Sequence, residues 1–424
     1  MSGRTADWLT AHEALERILA VVAPLTTERV ALADAFARTL AERVVSPIDQ
    51  PPWDNSAMDG FAARAADVAG ATRASPALLR VVEDVPAGAF PTRALGPGEA
   101  TRIMTGAPIP VGADSVIRIE HTEPAPNDRV AVVKDVDAGR NVRHAGEDLR
   151  RDDVVLEPGR VLRPAEIGVL ATVGRAEVEV WRRPRVAILS NGDELAELDA
   201  FDEVLAGRRI ANSNAYALAA AVHSAGGVPQ VLGIARDDRD SLLEHLARAR
   251  GADALLTTAG ASVGDHDLMK DALEELGFRL HFWRVKVRPG SPFSFGTLDE
   301  TAVFGLPGNP VSALVTFEVL VRPALRRMQG RADVHTPTIR VRAAERIVSP
   351  PGLLRFLRAR LEPDGAGGWL ARLTGPQGSG ILTSMAAADA FVLVPIDVEV
   401  VEAGEMLVAM PLPAPDAGRA GVGF

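Results

Sequence analysis

The sequence predicts a multidomain α/β plus β fold, with a doubly wound α/β domain set among β-rich segments, on three observations. At 424 residues the chain is too long for one ordinary core, so two to four domains are expected. Between Arg185 and about Gly330, strand-like apolar runs alternate with longer helical patterns, the signature of a parallel, doubly wound sheet. On either side, short β-rich runs are broken by Gly and Pro clusters.

Each element follows in order. Residues 11 to 43 carry apolar positions at helical spacing, first Ala14, Leu15, Ile18, Leu19 and Val22, then Leu32 and Ala35 through Leu40, which predicts two helices. From Val44 to about Gly146 the runs Leu78 to Val82, Ser115 to Ile119 and Val130 to Val133 predict a small β domain. Residues 154 to 180 read as extended and Gly-punctuated, leading back to the first helices and making the β segment an insertion. The α/β stretch then runs through strands at Val186 to Leu189, Val231 to Ile234, Ala254 to Thr257, Leu280 to Val287 and Ala302 to Phe304. Its helices are expected at Ala215 to His223, Ser241 to Arg250, Leu268 to Leu276 and Val311 to Met328. Beyond Gly330, Thr338 to Val341, Phe391 to Pro395 and Met406 to Ala409 predict a terminal barrel, and the last dozen residues a loose tail.

Composition narrows the function. The chain is 47% hydrophobic and 24% charged, the balance of a globular protein. A net charge of −10 argues against a nucleic-acid surface, and 4% aromatics with one tyrosine leave no stacking platform. The absence of Cys removes disulfides, thiolate metal sites and cysteine nucleophiles. Charges at Asp7, Glu13, Glu16 and Arg17 interrupt any signal-peptide core, and no apolar run approaches a membrane span of about 20 residues. A cytoplasmic protein with no membrane contact is expected. The histidines lack HExxH spacing, GxSxG is missing and no GxGxxG follows the first sheet strand, so zinc hydrolase, serine hydrolase and dinucleotide readings have no support.

Polar loops follow three α/β strands, where ligands of this architecture sit. They are Ser190 to Glu194, Thr257 to Asp267, and Gly305 to Ser312. A Gly-rich turn feeding a helix exposes free N–H groups to an anion. Asp265 and Asp267 would repel a phosphate placed there unless a divalent cation intervened, and hard carboxylate oxygens favour Mg²⁺. Asp265 can equally cap the helix beginning near Leu268, and Glu194 can be a solvated loop charge. In the β segment, residues 51–62, 102–110 and 141–148 form three polar knots. Turn formation explains Asn55 and Ser56 but not Asp59. Thr105 can be a strand-edge hydroxyl and Asp148 a surface charge.

Together these stretches resemble a known family. PPWDNSAMDGFA at 51 to 62, RIMTGAPIPVGAD at 102 to 114, NVRHAGED at 141 to 148, SNGDEL at 190 to 195, ASVGDHD at 261 to 267 and GLPGNPVSALVTFE at 305 to 318 are similar, in the same order, to the molybdopterin molybdotransferases, bacterial MoeA and gephyrin E domains. Each motif alone is weak, and the ordered set is specific. The resemblance implies an elongated helical and β linker domain (1–45 and 147–182), an inserted β domain (46–146), an α/β molybdopterin-binding domain (183–330), a C-terminal β-barrel domain (331–412) and a tail (413–424). It implies a homodimer with sites shared between subunits, and possible contact with the pterin adenylyltransferase.

Carried over by position, Asp59, Thr105 and Asp148 reach the site from the partner subunit, and Glu194, Asp237 and Asp265 line the α/β pocket as Mg²⁺ ligands, with Asp265 also catalytic. Cofactor contacts fall on Ser262 and Gly264, on Pro307, Gly308 and Asn309, and on Arg288 and Ser312, where molybdate or phosphate would sit. Ser379 and Arg358 reach the same place from the barrel. The implied reaction inserts molybdate into adenylylated molybdopterin with Mg²⁺ and releases AMP. The alternatives are a scaffold or receptor-binding protein that keeps the fold, and a tungstate-inserting homologue. The chain departs from the family pattern at Ala259 and Ala261 for glycines, Asn191 for threonine, and Ser291 for the lysine of PGKP. Arg288 is the cation expected to compensate for that lysine.

Overall fold

The computed structural model describes residues 8–258, 268–365 and 367–412. Two compact units divide the chain: Met1–Ala41 with Pro158–Pro164 and Glu177–Phe424, and Glu42–Glu157 with Ala165–Ala176.

In the first unit, helix Ala11–Val21 opens with a capping box. Thr10 Oγ1 accepts from the Glu13 amide at 3.2 Å, and the Glu13 carboxylate accepts from the Thr10 amide at 2.8 Å. Its buried face, Ala14 and Ile18, joins the core of the α/β sheet. The expected second helix does not form. Thr27–Ala31 is a strand antiparallel to Glu177–Trp181, with Val30 opposite Val178, and only one 3-10 turn follows at Leu32–Asp34. Cross-strand pairing overrides the local periodicity, and Ala37 at φ 60° cannot continue a helix.

The α/β sheet runs in the order Val228–Ala235, Arg185–Asn191, Ala254–Thr258, Thr301–Leu306, all parallel. Ser294–Leu298 and Arg279–Trp283 extend it as an antiparallel edge. The near-continuous apolar runs of these strands follow from burial on both faces: Val186 and Ile188 face one core, Ala187 and Leu189 the other. Helix Pro310–Thr316, the wide turn Phe317–Val321 and helix Arg322–Met328 form one continuous helical rod, as the spacing from Val311 to Met328 predicts.

The C-terminal region closes into a five-stranded barrel. Leu354–Pro363 pairs with both Trp369–Leu373 and Ala390–Val394, Met406–Pro411 with Ala390–Val394 and Ile339–Ala343, and Ile339–Ala343 with Trp369–Leu373. Val341, Leu357, Val392 and Ala409 fill it. The proposed tail, 413–424, lies outside the described residues.

The second unit is built on a six-stranded sheet ordered Ser115–Arg118, Gly60–Ala63, Glu99–Ile103, Thr72–Val85, Arg129–Lys134, Thr122–Ala125. Its strands match the runs expected around Leu78, Ser115 and Val130. Where 154 to 180 reads as extended, the structure has helix Pro164–Thr172 with Leu170 buried. Pro in its first turn has a preset φ and no N–H to lose there, a start signal that the neighbouring glycines mask. Among the described residues no helix is long and apolar enough to cross a membrane.

Candidate functional site

The three polar knots of the second unit, far apart in sequence, meet in space. Val142–Arg143 pairs with Asn55–Ser56, and the 104–109 loop hydrogen-bonds the same segment through Ser56 N to Ala107 O (3.0 Å), Gly106 N to Ser56 O (2.8 Å) and Ile109 N to Asp54 O (2.9 Å). Asp148 joins through its amide to Gln50 O at 2.9 Å. At the centre, Asp59 Oδ1 accepts from both the amide and the hydroxyl of Thr105, each at 2.7 Å. Those two bonds, hydroxyl first, hold the exposed Asp59 carboxylate below its usual range. Gly60 is required beside it, because a Cβ would lie 1.9 Å from Ile117 O. Thr105 is therefore more than a strand-edge hydroxyl, since it orients Asp59. The Asp148 side chain is exposed.

One carboxylate that the sequence did not single out organises this knot. Asp137, 2% exposed, accepts from Arg118 N (3.1 Å), Arg118 Nε (3.0 Å) and His121 Nδ1 (2.6 Å). Burial pushes it up, but the Arg118 side-chain and backbone bonds and the His121 bond outweigh that and bring it to about 2. It fixes the strand that pairs with Gly60.

In the first unit, the C-terminal ends of Arg185–Asn191 and Val228–Ala235 lie side by side and present acidic groups. Asn191 Nδ2 donates to Asp237 Oδ1 at 2.7 Å, and the Asp193 amide to Asp237 Oδ2 at 3.3 Å. The Glu194 carboxylate folds over Gly192, 2.4 Å from where a Cβ there would be. Asn191, which stands where the family pattern has threonine, thus acts on Asp237 directly. Beneath them, buried Ser190 donates to Asn212 Oδ1 (2.8 Å), and Asn212 donates to Glu197 (2.9 Å). Neither this network nor Asn214, whose amide holds Gly308 O at 2.7 Å, had a sequence signal.

The Gly305 to Ser312 turn delivers Pro307 buried and Gly308 and Asn309 exposed, directly before the helix that starts at Pro310. Asn309 is the N-cap residue but makes no side-chain cap bond. Ser312 is 4% exposed, and the neighbouring Val311 amide donates to Ser379 O at 3.1 Å, which brings the barrel loop to the helix start. Arg358 is fully buried behind that loop. It donates to Ser384 Oγ (2.9 Å), Pro376 O (3.1 Å) and Gly378 O (3.0 Å), while Nη1 has no partner among the described residues. Burial alone lowers its pKa. Ser262, Gly264 and Asp265 lie outside the described residues. A cleft of 1340 Å³ lined by Arg182, Asp253 and Thr301 opens at the N-terminal ends of the parallel strands, the opposite end from Asn191 and Asp237.

This arrangement of segments has close relatives. Residues 9–174 match the MoeA N-terminal region (domain I and II), 187–327 the probable molybdopterin binding domain, and 340–412 the MoeA C-terminal region (domain IV). Molybdopterin molybdenumtransferase 2 of Mycobacterium tuberculosis is 38% identical over 384 residues, covering 89% of this chain and 93% of that protein. The chain belongs to the molybdopterin molybdenumtransferase family. The molybdopterin molybdenumtransferase of Nostoc sp. is 37% identical over 399 residues, 91% of this chain and 89% of its own. The crystal structure of the molybdopterin biosynthesis moeA protein from Pyrococcus horikoshii OT3 superposes with a TM-score of 0.82 at 31% identity, covering 96% of this chain and all of that one.

Glu194 and Asp237 bring hard carboxylate oxygens to the C-terminal ends of two neighbouring strands. Among the described residues no three His, Asp or Glu side chains converge as a cage. Mg²⁺ is ordinarily held by one or two carboxylates plus substrate phosphates, and Glu194 with Asp237 meets that requirement in kind.

Proposed function

We propose that this protein inserts molybdate into adenylylated molybdopterin and releases AMP, as a Mg²⁺-dependent step of molybdenum-cofactor biosynthesis. The observation that carries the reading is the gathering of the family's motif residues onto strand ends and helix starts, with Asp59 held ionised by Thr105 and carboxylates beside Asn191. Glu194, Asp237 and Asp265 would hold Mg²⁺, which would supply charge neutralisation at the pyrophosphate and polarisation of the anhydride. The chain's own groups do the rest. Pro307, Gly308 and Asn309 shape the turn that receives the pterin, and Ser262 and Gly264 add contacts to it. Arg288, Ser312, Ser379 and Arg358 hold the oxyanion end. Asp59 orients the attacking oxygen, and Thr105 fixes its rotamer.

The same reading makes the protein a cytoplasmic homodimer in which Asp59, Thr105 and Asp148 complete the partner's site. It divides the chain at 45, 146, 182, 330 and 412, and it allows a hand-over contact with the pterin adenylyltransferase. Cofactor assembly in vitro from adenylylated pterin, molybdate and Mg²⁺ should release AMP in step with molybdenum incorporation. Mixing Asp59→Ala subunits with Asp265→Ala subunits should restore part of the activity. AMP release that does not depend on molybdate or Mg²⁺ would sink the reaction, and no recovery after confirmed subunit exchange would sink the shared site.

A further inference from the structure

The missing lysine at Ser291 leaves a question about charge at the oxyanion end. Ser291 does not replace it, because its hydroxyl donates to Val287 O at 2.5 Å, within its own loop. The loop packs against the helix start: a Cβ on Gly290 would lie 2.5 Å from Thr316 Cγ2 and 3.5 Å from Ser312 O. Immediately before it, Val287–Arg288 adds as a parallel strand to the barrel strand Leu354–Pro363, in a register that sets Arg288 beside Arg355. Residues so paired share a face, so two guanidinium groups stand side by side.

Nothing among the described residues neutralises them. Arg355 Nη2 donates to Pro350 O at 3.3 Å, its Nε is buried without a partner, and neither arginine forms an ion pair. Burial first, and then the charge of Arg288, lowers the Arg355 pKa. Like charges on neighbouring strands destabilise a sheet unless an anion joins them. Two guanidinium forks match two edges of a tetrahedral dianion, a geometry that one ammonium group cannot supply.

We propose that Arg355, with Arg288, forms a two-guanidinium seat for a tetrahedral oxyanion dianion. The assignment rests on the molybdate-insertion reading for its physiological ligand, which is free molybdate or the phosphate of the nucleotide. Arg355 itself lay outside every motif, because its meaning depends on register with a strand distant in sequence.

The test is calorimetric titration of the full-length protein with molybdate and, separately, with AMP, in wild type, Arg355→Gln and Arg355→Lys, alongside thermal melts. Arg355→Gln should melt near wild type and weaken at least one of the two ligands about tenfold, with Arg355→Lys recovering part of the loss. Loss for molybdate alone identifies the seat with the free oxyanion, and loss for AMP alone identifies it with the phosphate. Unchanged affinity for both in Arg355→Gln, or no binding of either by wild type, overturns the seat. Cofactor assembly is measured in parallel. If wild type assembles none while Arg355→Gln still loses oxyanion affinity, the insertion reading fails and the seat stands.

Discussion

Arg322 and Arg358 are both buried in the first unit, and their surroundings differ. Arg322, 2% exposed, is held by Glu318 through Nε (2.5 Å) and Nη2 (2.7 Å), also bonds Ser224 Oγ, and lies 5.5 Å from the centre of the Phe317 ring. Arg358, 0% exposed, has side-chain bonds among the described residues to carbonyls and one hydroxyl alone. A buried cation with its anion in place belongs to the scaffold, since its charge is spent inside the fold. One without an anion keeps its field for something that arrives, and Arg358 sits behind the Ser379 loop, at the end of the molecule where an oxyanion is expected. The cost of burying charge is the same in kind at both places, and only the partner differs.

That comparison breaks most visibly at Glu318. Replacing it with Gln leaves Arg322 charged and buried without a counter-ion, a change that typically costs about 3–5 kcal/mol. Glu318→Gln should therefore lose most of its resistance to urea, while replacing both partners with apolar residues should cost far less. A loss under about 1 kcal/mol for the single change would show that Arg322 is not committed to Glu318, and the contrast with Arg358 would fall.

Asp137 extends the contrast to the second unit, because it too is a buried group whose partners are built in. Asp137→Asn should cost about 2 kcal/mol by leaving Arg118 with a weaker acceptor. The pH dependence follows from the lowered folded pKa of about 2. The stabilisation is fully present above the unfolded value, near 4, and is lost as pH falls from there towards 2. Wild type should lose stability through that window more steeply than Asp137→Asn. Parallel acid-denaturation profiles would remove Asp137 as the fastener of the Asp59 knot.

How far these features were legible depends on the range of the interaction that creates them. The α/β strands were readable because burial on both faces gives unbroken apolar runs such as Val186 to Leu189. The knots around Asp59, Thr105 and Asp148 were readable because each holds polar residues that packing does not explain. The strands Leu354–Pro363 and Trp369–Leu373 were not anticipated, since arginines at 355, 358 and 360 interrupt any two-residue alternation. Leu32 to Leu40 reads as helix, and the strand Thr27–Ala31 before it was not anticipated because its strand character comes from Glu177–Trp181, much later in the chain. Asp137, in a run of turn-forming residues, showed no sign of its buried partners.

The smallest expected effect belongs to Arg358 itself. Arg358→Gln removes a buried charge together with its desolvation cost, and gives up bonds to three neutral acceptors. Glutamine can keep one of those bonds, and no partner charge is stranded. The opposing terms are similar in size, so the variant should unfold within about 1 kcal/mol of wild type in either direction. Its oxyanion affinity should nevertheless fall several-fold, because the uncompensated charge behind the Ser379 loop is gone. Urea unfolding and molybdate titration on the same preparation separate the two effects. A loss of 3 kcal/mol or more with unchanged molybdate affinity would make Arg358 a scaffold residue like Arg322, its carbonyl partners then sufficing in place of a carboxylate.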